Sequence, residues 1–427
     1  MADQRRLTTT PEGLRVVTEP LAGVRSIALG VWIGVGSRFE SPAEAGISHF
    51  IEHMLFKGTP RHTAEEIAQI FDGLGGEVNA ATSKDYTVVY TRVLDEHLDV
   101  AFPVMTDMVV SPSWADLEQE REVVLEEIAM YEDDPHDRVH DLISEAVFPR
   151  QALGRPVIGF AEVVGGVGVT DVRAYHGGHY VAQNMVVAAA GNVDHDRLVE
   201  LCRTHLGALP QGPVRDHFEP AAPGEPVLVV REKPTEQCHL ALGGPSFDRN
   251  DPRRHAQSVL DTILGGSMSS RLFQEVREKR GLAYSVGSYA VGYADSGQVG
   301  VYVGTREDNL GTACEVIARE LGRLVEEPVG DAELSRAKEH LKGRLVLGLE
   351  SPATRMHRIG KAVLSRTELL EIDEVIARID AVSAGDVQRL ADEYWRPDRM
   401  SAAAIGPREE PIRRAVALLS PQLEVGA

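Results

Sequence analysis

Two stretches of this chain repeat each other at a fixed distance. Asp171-Val172, Tyr180, Met185 and Gly191 are matched by Asp386-Val387, Trp395, Met400 and Gly406, each displaced by 215 residues. A single pair of matches means little, but one displacement shared along a whole segment marks a duplicated unit. Upstream, Leu29-Gly30-Val31-Trp32 is echoed by Leu240-Ala241-Leu242-Gly243. Both repeated segments read as a helix running into a strand, so each half should be α+β. Proline and glycine crowd together between Pro210 and Pro226, the strongest linker signal in the chain. With 427 residues, 43% of them hydrophobic, each side is long enough for its own core. The expected organisation is two tandem, similar domains, residues 1–212 and 227–427, joined by a linker at 213–226.

The halves differ at one place that bears on chemistry. Ser41-Pro42-Ala43-Glu44 predicts a helix start, with a serine cap, proline in the first turn and glutamate three residues on. Ile47, Phe50, Ile51, Met54 and Leu55 then form an apolar stripe, and Lys57-Gly58-Thr59-Pro60 ends it. His49, Glu52 and His53 fall beside that stripe. Residues four apart are neighbours on a helix, so two imidazoles there can grip one ion. Zinc accepts imidazole nitrogen and carboxylate oxygen and keeps a position for water. Glu52 would then face the water and act as its base. The matching helix of the second half, around Gln257–Leu264, holds Ser258 and Thr262 in place of the histidines. The second half therefore lacks the metal face.

A third ligand must come from elsewhere. Leu94–Val110 reads as mostly helical with a kink at Pro103, and Ser113 then predicts the cap of a helix that Asp133-Asp134-Pro135 stops. Glu120 and Glu127 are two turns apart on one face of it. Spacing leaves Glu126 and Glu127 both open as ligands, with Glu120 behind them. It also leaves open a solvated acidic face running through Glu118 and Glu122.

The formal net charge of −21 makes nucleic acid a poor partner and would draw basic ligands inward. The cysteines, Cys202, Cys238 and Cys314, form no paired motif, which suits a reducing, cytoplasmic setting. No leader is expected at the N-terminus, and no run approaches the roughly 20 apolar residues of a membrane span. Asp134, His136, Asp137 and His140 read as a solvated helix start rather than a metal group. Val163–Gly168 is glycine-rich but lacks the lysine of a phosphate loop. Glu77–Val93 alternates as two strands about a polar tip at Ser83-Lys84-Asp85, on its own terms an ordinary hairpin.

His49-Phe50-Ile51-Glu52-His53-Met54-Leu55-Phe56-Lys57-Gly58-Thr59 and Glu120-Arg121-Glu122-Val123-Val124-Leu125-Glu126-Glu127-Ile128 resemble the inverted-motif zinc peptidases that include pitrilysin, insulin-degrading enzyme and mitochondrial processing peptidase. The resemblance spans nearly the whole chain and is strongest to the processing-peptidase version. It implies domains with mostly antiparallel sheets, forming half of a clamshell chamber. It also implies one Zn2+ per chain on His49, His53 and Glu127, which decides for Glu127 over Glu126. Glu120 then supports the site and Glu52 serves as catalytic base. Gly76–Thr82 resembles the edge strand onto which a peptide substrate adds as a further β-strand, through Asn79, Ala80 and Ala81. Arg277 and Tyr284, in Arg277-Glu278-Lys279-Arg280-Gly281-Leu282-Ala283-Tyr284, resemble the pair that holds substrate backbone near the scissile bond. Gly265-Gly266-Ser267-Met268-Ser269-Ser270-Arg271 resembles a substrate-side loop, with fewer glycines. Because one chain carries both residue sets, the implied assembly is a homodimer, each site drawing Arg277 and Tyr284 from the same chain or from the partner, and cutting unfolded or presequence-like peptides. The alternative is a non-catalytic or obligately heterodimeric subunit.

Overall fold

Strand-forming runs rich in Val, Ile and Ala build two sheets in the computed structural model, which describes residues 5–212 and 218–424. Residues 1–4, 213–217 of the expected linker, and 425–427 lie outside the described residues. The first sheet contains β1 (Arg6–Thr9), β2 (Arg15–Pro20), β3 (Ser26–Ile33), β4 (Glu77–Thr82), β5 (Thr87–Leu94) and β6 (Met185–Gly191), in the order β1-β2-β6-β3-β5-β4. The second contains β7 (Leu228–Glu232), β8 (Cys238–Ser246), β9 (Ala283–Gly292), β10 (Gly297–Thr305) and β11 (Ser401–Gly406), in the order β7-β11-β8-β10-β9. Each sheet is mixed but mostly antiparallel. The parallel pairs, β2 with β6 and β7 with β11, occupy the same place in each. The α+β duplication read from the sequence is therefore present in five matching strands of each sheet, with β1 an addition to the first and β4 and β9 as equivalent free edges.

β3 and β6 are apolar along their whole lengths rather than alternating, and β6 is buried throughout. Such runs fit strands covered on both faces. The second cover comes from an unexpected source. One compact unit comprises the chain up to Ile128, Pro156–Glu219 and Leu347–Leu369; the other comprises Ala129–Arg155, Pro220–Val346 and the chain from Leu370 onward. Each half of the sequence sends one helix to the other half's sheet. Helix Pro135–Val147 packs on β8 and β11, and helix Pro352–Leu364 packs on β2, β3 and β6. Both open with a capped proline, behind Asp134 and Ser351. In the first unit Met356 and Ile359 join Val17, Ala28, Trp32, Val186 and Ala188 in one buried cluster. The approach is close: a Cβ on Gly360 would lie 2.2 Å from Trp32 Nε1. The units thus differ from the contiguous 1–212 and 227–427 division. Helix periodicity shows that a face is apolar, not which sheet it covers.

Candidate metal centre

The capping box at Ser41 and Glu44 forms, but on a single 3-10 turn, Pro42–Glu44. The helix carrying the histidines begins later and spans Ile47–Met54. Between them Gly46 takes φ +98°, where a Cβ would lie 2.7 Å from the carbonyl of Ile158. That left-handed residue breaks the helix predicted from Ser41. The working cap is Glu40, whose buried carboxylate accepts the Gly46 and Ser48 amides at 2.8 and 2.9 Å. A negative group at a helix N-terminus is stabilising. Sequence reading missed Glu40 because it stands before the local cap signal. Ile47, Phe50, Ile51 and Met54 are buried as expected, leaving His49, Glu52 and His53 beside them.

The acidic helix spans Leu117–Asp133, three residues later than a cap at Ser113 suggested. Trp114 and Asp116 have positive φ and form a turn instead of a first helical turn. Ser113 still matters: its amide donates to Gly58 O at 2.9 Å and its hydroxyl to Lys57 O at 3.2 Å. Those bonds tie the acidic helix to the end of the histidine helix. Helix Leu98–Val110 runs through Pro103 without the break or kink expected there.

Glu127 Oε2 lies 3.3 Å from His53 Nε2 and 3.8 Å from His49 Nε2. One donor atom from each of the three falls within 4.8 Å of the others, the one such trio among the described residues. Zinc–ligand bonds of about 2.0–2.1 Å arranged tetrahedrally place donors roughly 3.3 Å apart, so the set fits the ion with small adjustments. Glu126 is exposed and outside the cluster. Glu120, 4% exposed, accepts a hydrogen bond from His53 Nδ1 at 2.9 Å and pairs with Lys57. That bond fixes the ring so that Nε2 carries the lone pair. His49 is pushed down to about 4 by burial and then by His53, so it is neutral at pH 7, as a ligand must be. Its Nδ1 is buried without a hydrogen-bond partner.

Glu52 stays out of the trio. Its carboxylate accepts a hydrogen bond from the Thr82 hydroxyl of β4. Burial raises its proton affinity, Glu127 adds to that, and Thr82 and His53 oppose it. β4 bonds β5 on one side only, with Asn79 opposite Tyr90 and Ala81 opposite Val88. Asn79 and Ala81 are exposed and Ala80 is buried. The Ala80 amide donates to Asn79 Oδ1 at 2.8 Å.

Arg277 and Tyr284 lie in the second unit and meet each other there. The guanidinium sits 4.3 Å above the Tyr284 ring and 4.7 Å above Phe273, and donates to Tyr284 O at 3.3 Å. Tyr284 is 78% exposed, on edge strand β9. Arg277 stands on a π-helical turn, Phe273–Glu278, a form frequent at functional sites. In the helix matching the histidine helix, Arg254–Leu264, the hydroxyls of Ser258 and Thr262 are spent on backbone carbonyls. Asp261, at the Glu52 position, accepts a hydrogen bond from Ser288 of β9 at 2.6 Å, as Glu52 does from Thr82. Burial pushes Asp261 up to about 6. Asp134 caps its helix through the His136 amide, in line with a solvated helix start.

The description "Insulinase (Peptidase family M16)" matches residues 15–160, and "Peptidase M16 inactive domain" matches residues 167–341. An uncharacterized zinc protease of Streptomyces coelicolor is 45% identical, covering 95% of this chain and 90% of the relative. A Bacillus subtilis protein of the same description is 41% identical over 93% of this chain and 97% of its own. Among solved structures, a peptidase M16 inactive domain from Pseudomonas fluorescens superposes with TM-score 0.89 at 23% identity, covering 95% of this chain and 99% of that one. A protease from Helicobacter pylori also gives 0.89 at 23% identity, over 95% and 100%. At that identity the structures speak for the fold, which they share from end to end. The family description that covers His49, His53 and Glu127 is the insulinase one, and with relatives above 40% identity over nearly its whole length, the chain belongs to peptidase family M16.

Proposed function

We propose that the chain is a zinc metalloendopeptidase, and one observation carries the reading. Three donors from two helices converge on one point, while a second carboxylate, Glu52, is held beside them by a strand residue instead of joining them. Bound zinc would supply Lewis acidity, bringing the pKa of a water to about 7 and polarising a peptide carbonyl. His49 and His53 would hold the ion through imidazole nitrogens, Glu127 would add a carboxylate ligand, and Glu120 holds the His53 ring. Glu52 takes the proton from the attacking water and returns it to the leaving amine. Its raised proton affinity suits both transfers. The peptide lies along β4 as an added strand, bonded to the main chain at Asn79, Ala80 and Ala81. Arg277 and Tyr284 orient its backbone and meet the developing oxyanion, from the same chain or a partner.

The assembly proposed is a homodimeric chamber with one zinc per chain, acting on unfolded or presequence-like peptides and not on nucleic acid. No described helix is long and apolar enough to cross a membrane. All three cysteines are free and buried, in keeping with a cytoplasmic setting. Cleavage of a quenched fluorescent peptide by the purified chain tests the reading. Chelation should abolish cleavage and zinc should restore it. Cleavage that survives chelation, or that starts only when a second gene product is added, counts against it.

A further inference from the structure

The second unit has a pocket where the first unit has its metal ligands. Thr262, Ser267, Ser269, Glu333, Arg336, Ala337 and His340 line it, around about 210 Å3 of space open to solvent. Thr262 stands at the His53 position of the duplicated helix. Equivalence along the next helix follows from the prolines that open the two exchanged helices. Counted back from Pro135 and Pro352, Ala337 stands where Glu120 does and Arg344 where Glu127 does. The imidazoles have become hydroxyls, and the two carboxylates a methyl group and a guanidinium. None of the four groups that surround the metal position in the first unit has a ligating counterpart here.

Hydrogen-bond donors take their place. Arg336, His340 and Arg344 are four residues apart on helix Asp331–Gly348 and so share a face. All three are exposed, and none makes a hydrogen bond or ion pair among the described residues. The one carboxylate of the lining, Glu333, is taken by Arg271 through two bonds of 2.9 and 2.8 Å. Arg271 Nη1 remains buried without a partner. In a chain of net charge −21, cations left unpaired together stand out, because acidic partners are plentiful. The Thr262 and Ser267 hydroxyls already donate to backbone carbonyls, so the guanidinium and the imidazole supply the free donors, and these match the planar or tetrahedral oxygens of an oxyanion.

We propose that this pocket binds an oxyanion, either the carboxylate of a peptide or free phosphate. The same duplicated position then holds a cation in one unit and an anion in the other. Arg336 and His340 make the direct contacts, and the Arg271–Glu333 pair fixes the wall behind them. The metal half need not cut peptides for this pocket to work, and binding is read without turnover, so the two readings fail separately.

The test is calorimetric titration of the full, metal-loaded chain with three probes: inorganic phosphate, a blocked tetrapeptide with a free C-terminal carboxylate, and its amide. At least one oxyanion probe should bind, and the Arg336→Gln, His340→Gln double variant should weaken it tenfold or more. Both residues are exposed, so the variant should keep the parent's circular dichroism. Phosphate binding alone identifies a free-phosphate site, and preference for the free acid over the amide identifies a peptide carboxylate. Oxyanion binding that is equally strong in the double variant would place the anion elsewhere, on the zinc for example, and overturn the proposal. So would an absence of binding by both oxyanion probes.

Discussion

Glu120 and Glu52 show how one carboxylate can steer a metal ligand while another is kept from becoming one. Glu120 contributes no donor atom to the trio; it holds His53 through Nδ1 and is itself anchored by Lys57. Glu120→Gln should therefore keep the fold and lower zinc affinity by roughly 10–100-fold, measured by competition with a chromophoric chelator. An unchanged affinity would mean that His53 needs no orienting partner. A second residue-scale prediction concerns pH. His176 is half-buried beside Trp114 and Tyr180, donates to Val109 O at 2.8 Å, and is pushed down to about 4 by its removal from water. Its folded pKa lies below the unfolded value of 6.5, so the unfolded chain binds the extra proton. Stability is full above about pH 6.5 and falls as pH drops toward 4, by about 3 kcal/mol from this group at 1.36 kcal/mol per unit. Urea unfolding at pH 7.5 and 4.5 should show a smaller loss in His176→Gln than in the parent. Equal losses would show that His176 does not govern that window. The ligand set was legible at this scale because i, i+4 histidines carry a geometric meaning of their own. Glu127 needed the family resemblance to separate it from Glu126. Glu40 was not legible at all, because a carboxylate that caps a helix six and eight residues downstream has no local signature.

At the scale of elements, the strands at 26–33, 77–94, 185–191 and 401–406 and their duplication could be read directly, while the remaining strands, helix starts and helix partners could not. Ser41 and Ser113 both carry the chemistry of a cap, yet Gly46 in one case and the positive φ of Trp114 and Asp116 in the other delay the helix. A cap motif specifies a turn; whether a helix continues from it depends on the backbone that follows. The helix Pro352–Leu364 offers a direct test of packing. Gly360 allows it to rest on Trp32, and a larger residue must displace either the indole or the helix. Gly360→Leu should cost on the order of 1–3 kcal/mol by overpacking, seen as a lower melting temperature with zinc still bound. A melting temperature equal to the parent's would show that the helix packs loosely on β3.

For the whole molecule, the exchange of helices has a consequence that two tandem domains would not. Residues 1–212 include the candidate metal ligands but not helix Pro352–Leu364, so expressed alone they leave bare the face of β2, β3 and β6 that this helix covers. That fragment should be aggregation-prone and bind a hydrophobic dye. Supplying residues 347–369 in trans should suppress both effects; a well-behaved, dye-negative 1–212 fragment would mean that the exchanged helix is dispensable. The duplicated fold supports two different sites at one equivalent position, and only the first keeps a complete ligand set beside an unligated carboxylate. The division of labour between His49, His53 and Glu127 as ligands and Glu52 as base is the central claim. It is tested most directly by measuring zinc content and peptide turnover together in Glu52→Gln. The prediction is about one zinc per chain, as in the parent, with turnover reduced by at least about a hundredfold, the low end of a general base's contribution. Retained turnover, or loss of the zinc together with the activity, would contradict it.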